Sequence, residues 1–452
     1  APGFIDMHAE SDHYLSLWHY PSQEDFLRQG VTTILGGHGG VSLAPLLYGE
    51  LKSLREWVAS PRLNINWHSV REFLSTLSKR PLGVNFATLA GHTSIRRALT
   101  RDLPRELANG ELIVFEKLLN RSLGEGAYGA SLDLRSVYAK QIPWGELKLC
   151  GQVSRKHNGF LSLSPRTKQT QADGLKEIIK LGRETGVKIL VNDIFPRKHD
   201  EDFEQLLALI EDASHPEPMH FTTGPTTAAV LPLYTFLPNW LQTASFEEMH
   251  ERLLDEWLAP RVIRDLPEID AGRFRVLKAS SHDSLVGHTL RELSTEYGAK
   301  SHKEMLIRLM HLTKLKAWIA YDCIDDKKIA NLLAHPRSLV SSFSASFDDF
   351  GRERILKTEA AERGFPIFLE KMLAEKKLAL AEAIRKITLT PARYLGLKKR
   401  GELVEGNYAD LVGFALEGNR PEIRFVIING KVAVRDGEYT GALAGRPLHH
   451  AG

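Results

Sequence analysis

His8-Ala9-Glu10 closes the first strand-like run of this 452-residue chain, and Asp12 and His13 follow directly. Imidazoles and carboxylates are ligand types for zinc, which takes four such groups, or three and a water. Asp193 ends a second strand-like run, Val187 to Asp193, and is of the same type. His8, Glu10 and Asp193 are thus candidate metal ligands by residue type, at strand ends, which does not by itself make them one ligand set. The set is harder than the usual zinc donors and admits another divalent ion. Glu10 is the candidate proton acceptor. Arg166, just past Gly159 to Ser164, is the candidate to hold a substrate carboxylate by paired hydrogen bonds. His92 joins it as a substrate-binding candidate, although a histidine on such a loop is more often structural. A covalent route has less to work with. Cys150 and Cys323 lie in helical-looking contexts with no adjacent base, and Ser164 has no identifiable partner. His157, His215, His220 and the pair His449-His450 have no ligand spacing.

The elements that must position these residues alternate between short β-rich runs and helical patterns. That alternation predicts βα units and a parallel sheet. The predicted strands are Gly3 to His8, Val31 to Leu35, Val84 to Ala90, Ala127 to Leu132, Gly159 to Ser164, Val187 to Asp193, Met219 to Thr223 and Ser338 to Phe343. Gln23 to Gln29 reads as a short helix capped by Ser22 and ended by Gly30. A long stretch, about 224–335, reads as an insertion, with one more strand-like run at Arg273 to Lys278. Leu378 to Lys386 reads as a helix. Beyond Gly401 the texture turns to short strands and tight turns: Asp410 to Phe414, Phe425 to Ile428, Lys431 to Val434, with Asn429-Gly430 and Asp436-Gly437 as hairpin signals.

Composition narrows the classes. Hydrophobic residues make up 43%, enough for a large core, and the formal net charge is only +3. No basic surplus exists to grip nucleic acid. The chain has two cysteines, which excludes a disulfide scaffold and fits a reducing, cytoplasmic setting. No apolar run reaches the ~18–20 residues of a membrane helix, so no membrane partner is expected. The chain opens on Ala1-Pro2-Gly3, so removal of something upstream is an expectation too.

Several segments together carry a resemblance. They are Pro2 to His8, Gln29-Gly30-Val31-Thr32-Thr33, Val41 to Pro45, Gly91 to Arg96, Thr390-Pro391-Ala392-Arg393, Arg400 to Leu403, Gly406 to Val412, Ile427 to Gly430 and Gly445 to Leu448. In this order the chain resembles the N-acyl-D-amino-acid deacylases of the amidohydrolase superfamily. The resemblance implies a (β/α)8 TIM-like barrel over residues 1–400, including the insertion. It also implies that residues 401–452 are the C-terminal strands of a small β-sandwich whose N-terminal half is absent. It further implies zinc-assisted amide hydrolysis at the C-terminal ends of the strands.

Position by position, the implied site is depleted. Glu10 stands where such enzymes carry the second His of His-x-His. Gly39, in Gly37-His38-Gly39-Gly40, stands in a Cys place. Ser164 and the Asn192-Asp193 pair stand in His places, and Phe343 stands in the place of the catalytic Asp. The leading expectation is a degenerate homologue without conventional zinc hydrolase activity, with no cofactor needed. It would act as a binding or partner subunit, covered by another polypeptide that supplies the missing strands or by an active homologue. The alternative is an amidohydrolase cleaving an N-acyl amide with a rearranged zinc or other divalent site on His8, Glu10 and Asp193. A further alternative is a small-molecule carboxylate binder using Arg166.

Overall fold

The computed structural model describes residues 1–48, 51, 54, 63–139, 142–166, 171–198, 203–212, 219–242, 246–279, 281–347 and 355–450. The chain opens with β1 (Phe4–Asp6), β2 (Val31–Gly36), β3 (Asn85–Thr88) and β4 (Ala90–Gly91), followed by β5 (Gly129–Asp133), β6 (Phe160–Ser164), β7 (Lys188–Val191) and β8 (His220–Thr223). The insertion contributes β9 (Ala228–Pro232), β10 (Phe274–Ala279) and β11 (Ala317–Asp322). β12 (Ser338–Val340) completes the barrel. β13 (Leu411–Glu417), β14 (Arg420–Ile428), β15 (Lys431–Arg435) and β16 (Glu438–Tyr439) end the chain.

β1-β2-β3 and β4-β5-β6-β7-β8-β12 form two parallel ladders. β3 and β4 are halves of one stave interrupted at Leu89, so the two ladders make the eight staves of a TIM-like barrel. The last gap closes between β12 and β1. Phe343 N–H donates to His8 O at 3.0 Å, and Glu10 N–H donates to Ser344 O at 2.8 Å. Asp6 seals the same seam, because its carboxylate accepts from the backbone N–H and hydroxyl of Ser342 and from His8 N–H. The staves are buried at nearly every residue, with small polar side chains such as Thr32, Thr33 and Ser162 among the apolar ones.

Sequence reading and structure differ in instructive places. The last predicted strand, Ser338 to Phe343, stops at Val340, because Phe343 turns into the left-handed region at φ 51°. The short helix is Glu24–Arg28. Its N-cap is Gln23 in a left-handed conformation without a side-chain cap, not Ser22. The later helix is Leu380–Ile387. Cys150 lies in the helix Trp144–Lys156, but Cys323 follows β11 and is not helical. The insertion holds an antiparallel sheet, β10-β11-β9, of which only β10 was legible. That sheet and its helices bury a core of their own around Phe274, Ile319, Leu306 and Leu309.

The C-terminal strands form an antiparallel meander, β13-β14-β15-β16. Its first strand takes the start of the chain beside it: Gly3 N–H donates to Asp410 O, and Val412 N–H donates to Ala1 O. Buried Asp410 is the hub of this junction. It pairs with Arg400 and accepts from Asn85 Nδ2 at 3.2 Å and from Asn429 N–H at 2.8 Å. The closing Gly445-Arg446-Pro447-Leu448 run lies along β3. A side chain at Gly445 would put its Cβ 2.1 Å from Val84 O, so only glycine fits there.

Candidate functional site at the barrel mouth

β1 carries His8 to the C-terminal mouth, where it is 5% exposed. The turn after β2 brings His38 beside it. The two imidazoles lie face to face, with centroids 3.9 Å apart and planes 13° from parallel. His38 Nδ1 meets Ser162 Oγ at 3.0 Å, and Asn192 Nδ2 donates to the same hydroxyl at 2.6 Å. His8 Nδ1 and His38 Nε2 are buried with no hydrogen-bond partner among the described residues. Burial, and then neighbouring positive charge, holds both rings well below the usual imidazole range, so both are neutral. Phe343 covers His8, with ring centroids 4.6 Å apart, and leans on Phe195 at 5.2 Å.

Opposite these rings stands a cation that sequence reasoning missed. Arg135, two residues past the end of β5, donates from Nε to Asp133 Oδ1 at 2.9 Å and from Nη2 to Asp133 Oδ2 at 2.9 Å. The same Nη2 donates to Asp193 Oδ2 at 2.7 Å. Although burial works against its charge, the Asp133 and Asp193 carboxylates keep Arg135 above the usual guanidinium range. Ser164 Oγ, at the end of β6, lies 3.3 Å from Asp193 Oδ2. Asp193 adopts a left-handed backbone, φ 62°, which turns its side chain back toward the mouth. The sequence offers only Asp133-Leu134-Arg135 past a strand end, an opposite-charge pair that does not reveal the contact with Asp193.

Glu10 turns away from this pair. It lines a cavity of about 20 Å3 with Tyr14, Leu277, Trp318, Phe343 and Phe347, room for roughly one water. Burial, reinforced by the Asp193, Asp12 and Asp6 carboxylates, raises its pKa to about 8, so it is largely protonated at neutral pH. Asp12 accepts from Gly37 N–H at 2.7 Å and His13 Nε2 meets Val41 O at 3.1 Å, so both brace the loop after β2. A side chain at Gly39 would meet nothing within 4 Å, so the place of a Cys ligand is open space.

The zinc expected of such a barrel does not fit these residues. Among the described residues no three His, Cys, Asp or Glu side chains gather to hold a metal ion. His8, Glu10 and Asp193 approach one another as charges but not as a ligand set. Imidazole lone pairs lie in the ring plane. An ion in the plane of His8 therefore sits a stacking distance out of the plane of His38, and the two rings cannot share it.

The two expected substrate contacts, Arg166 and His92, have partners within the protein. Arg166 Nε pairs with Glu177 at 3.1 Å, and its two terminal nitrogens donate to Ala139 O and Ile142 O, so Arg166 is anchored to the protein by three of its five N–H donors. His92 is fully buried between helices, its Nε2 2.7 Å from Glu146 Oε1 and its ring edge against Phe115. It holds the helix His92–Thr100 to the helix Trp144–Lys156 rather than facing a substrate. His215 lies outside the described residues.

Comparison with known proteins follows this geometry closely in fold. The amidohydrolase family's sequence profile matches residues 355–433, which cover the last barrel helices and most of the C-terminal sheet. The chain is 26% identical to an N-acyl-D-aspartate deacylase of Alcaligenes xylosoxydans xylosoxydans, over 98% of this chain and 83% of that protein. It is also 26% identical to a D-aminoacylase of the same organism, over 99% and 87%. A crystal structure of D-aminoacylase superposes with a TM-score of 0.78 at 25% identity, covering 99% of this chain and 89% of that one. An N-acyl-D-glutamate deacylase from Bordetella bronchiseptica, solved with zinc and a phosphonate mimic of the tetrahedral intermediate, superposes at 0.79 with 20% identity, covering 100% and 89%. Among the described residues no helix is long and apolar enough to cross a membrane.

Proposed function

We propose that the chain is a member of the D-aminoacylase family of amidohydrolases, which it matches over nearly its whole length, and that its barrel mouth serves binding rather than zinc-assisted amide hydrolysis. The observation that carries this reading is the face-to-face stack of His8 on His38 beneath Phe343. In metal-assisted hydrolysis, zinc polarises the amide carbonyl and brings the pKa of its water to ~7. That chemistry needs in-plane donors converging on one ion and a carboxylate to move the proton. Here the stacked rings diverge, and an aromatic ring without proton-transfer capacity fills the space over His8. Glu10, the remaining proton carrier, faces an apolar cavity.

The same reading extends to a partner. The outward face of the C-terminal sheet presents Phe425, more than two-fifths exposed. Apolar surface of this kind supports a covering polypeptide, such as an active homologue. The carboxylate-binder reading gains nothing from Arg166, which Glu177 already occupies.

A second reading keeps hydrolysis. It is favoured by the match over nearly the whole chain to proteins named as deacylases. It needs His8 to unstack from His38 and turn toward Asp193. Hydrolysis of N-acetyl-D-amino acids, assayed with added zinc and with chelator, separates the two readings. The proposal expects no turnover above background in either condition. Zinc-dependent turnover that disappears in His8→Ala would establish the second reading instead.

A further inference from the structure

We infer that a one-directional chain of hydrogen bonds fixes His38 as the tautomer with its proton on Nε2, so that the barrel mouth holds a hydrogen-bond donor at this nitrogen and not a lone pair for a cation. The inference rests on the reading that this mouth serves binding rather than zinc-assisted hydrolysis. The chain starts at the backbone of Asp193, whose N–H can only donate, and which meets Thr222 Oγ1 at 3.4 Å. Thr222 Oγ1 donates in turn to Asn192 Oδ1 at 3.3 Å. Asn192 Nδ2 donates to Ser162 Oγ at 2.6 Å, and Ser162 Oγ lies 3.0 Å from His38 Nδ1. Thr222 in β8, Asn192 just past β7, Ser162 in β6 and His38 past β2 are all buried, so no solvent interrupts the chain.

A hydroxyl has one hydrogen to give and lone pairs to receive with. Ser162 receives from Asn192, and among the described residues the acceptor for its own hydrogen is His38 Nδ1. A ring nitrogen that accepts carries no proton. Burial keeps this ring neutral, so its one proton is on Nε2. Run the other way, His38 Nδ1 would donate to Ser162, Ser162 to Asn192, and Asn192 to Thr222. The Thr222 hydroxyl would then receive from two N–H groups and have no acceptor for its own hydrogen among the described residues. A buried hydrogen without an acceptor is costly, and only the first sense gives every hydroxyl hydrogen on the chain an acceptor. The Met7 carbonyl acts on the ring in the same direction, since an acceptor favours a protonated nitrogen.

The chain ends at His38 Nε2, which is buried with no hydrogen-bond partner among the described residues. His8 does not compete for it, because that ring lies on the face of His38 and not at its edge. As an N–H, Nε2 calls for an oxygen: a water, a carbonyl or a carboxylate. A metal ion takes an imidazole by an unprotonated nitrogen. To offer one at Nε2, His38 would have to move its proton to Nδ1, where Ser162 already points a hydrogen. Ser162 and Asn192 are thus positioning residues: through the chain they set which nitrogen of His38 carries the proton.

The test is a nitrogen-15 spectrum of histidine-labelled protein, which reports the ring nitrogen that carries the proton. The His38 signals are those missing from His38→Gln. In the wild type the proton should favour Nε2 over Nδ1 roughly tenfold or more. Asn192→Asp keeps the shape of the side chain but can only accept. Ser162 then turns its hydrogen to the new carboxylate, and Nδ1 should gain a proton to donate to Ser162. Adding Ser162→Ala to Asn192→Asp breaks the chain and should return Nδ1 to its unprotonated state, whereas a merely structural role for these residues would move neither signal. Circular dichroism reports the fold of each. A wild-type His38 protonated on Nδ1 overturns the inference alone, and decides it even where Asn192→Asp fails to fold. A folded Asn192→Asp in which Nδ1 stays unprotonated overturns it as well. Zinc alone is the probe of the reading beneath: it should leave the Nε2 proton of the wild type in place, and zinc that displaces this proton overturns both.

Discussion

Arg135 and Asp193, 58 residues apart in sequence, meet across three staves of the barrel through a 2.7 Å hydrogen bond from Nη2 to Oδ2. Both side chains are only partly buried, 39% and 24% exposed, so solvent screens much of their attraction. A double-mutant cycle with Arg135→Ala and Asp193→Ala is expected to give a coupling energy of about 0.5–1 kcal/mol. Urea denaturation of the four proteins measures it. Additive effects would mean that the pair contributes contact but no specific attraction.

Phe343 sits at φ 51°, a conformation that costs a bulky residue and is free to glycine. It repays that cost by covering His8 and packing on Phe195. Phe343→Ala loses the packing and keeps the strain, whereas Phe343→Gly loses the packing and relieves it. Phe343→Gly should therefore be more stable than Phe343→Ala by about 1 kcal/mol, against the usual order for these two residues. Comparing their thermal midpoints tests this, and the reverse order would show that the turn relaxes in the variants.

Lys386, on the helix Leu380–Ile387, donates from Nζ to His335 O at 2.6 Å in a nearly closed site. Burial lowers its pKa from 10.5 to about 8. A lysine with a depressed folded-state pKa binds its proton more readily in the unfolded chain. Its contribution is therefore fully present above pH 10.5 and is lost as pH falls through about 8. Wild-type stability should carry a component that rises with pH across that window. Lys386→Met should lack it and gain on the order of 2 kcal/mol at pH 7. Equal pH slopes for the two proteins would remove this explanation.

Asp410 ties the C-terminal sheet to the barrel through Arg400, Asn85 and Asn429, all in a closed junction. Arg400 also lies 4.2 Å from the ring centre of Tyr408. Asp410→Ala leaves a buried guanidinium without its counter-charge and should cost about 3–5 kcal/mol. Limited proteolysis should then cut first near the 401–410 turn. A variant as stable and as resistant as wild type would show that the sheet docks by apolar packing alone.

The staves were readable because short β-rich runs of apolar residues with Thr and Ser, as in Val31 to Leu35 and Gly159 to Ser164, alternate with helical patterns. The C-terminal meander was readable from Asn429-Gly430 and Asp436-Gly437, whose left-handed positions fix hairpin turns. β9 and β11 were not, because β9 is only partly buried along its length, β11 changes from buried to partly buried midway, and both sit among helical patterns that mask a period of two. At the site, Gly39, Ser164 and Phe343 were legible one at a time. Arg135 was not, because its role depends on Asp193, which only the closure of the barrel brings near. Arg166 misled for the same reason. Its freedom to bind a ligand is decided by Glu177 and by two carbonyls of a distant loop.

The metal content of the purified wild-type chain, measured by elemental analysis after dialysis against a slight excess of zinc, tests the proposed zinc-free mouth most directly. The stacked rings of His8 and His38 and the guanidinium of Arg135 predict well under one bound zinc per chain, unchanged in His8→Ala. One zinc per chain, lost in His8→Ala, would contradict it.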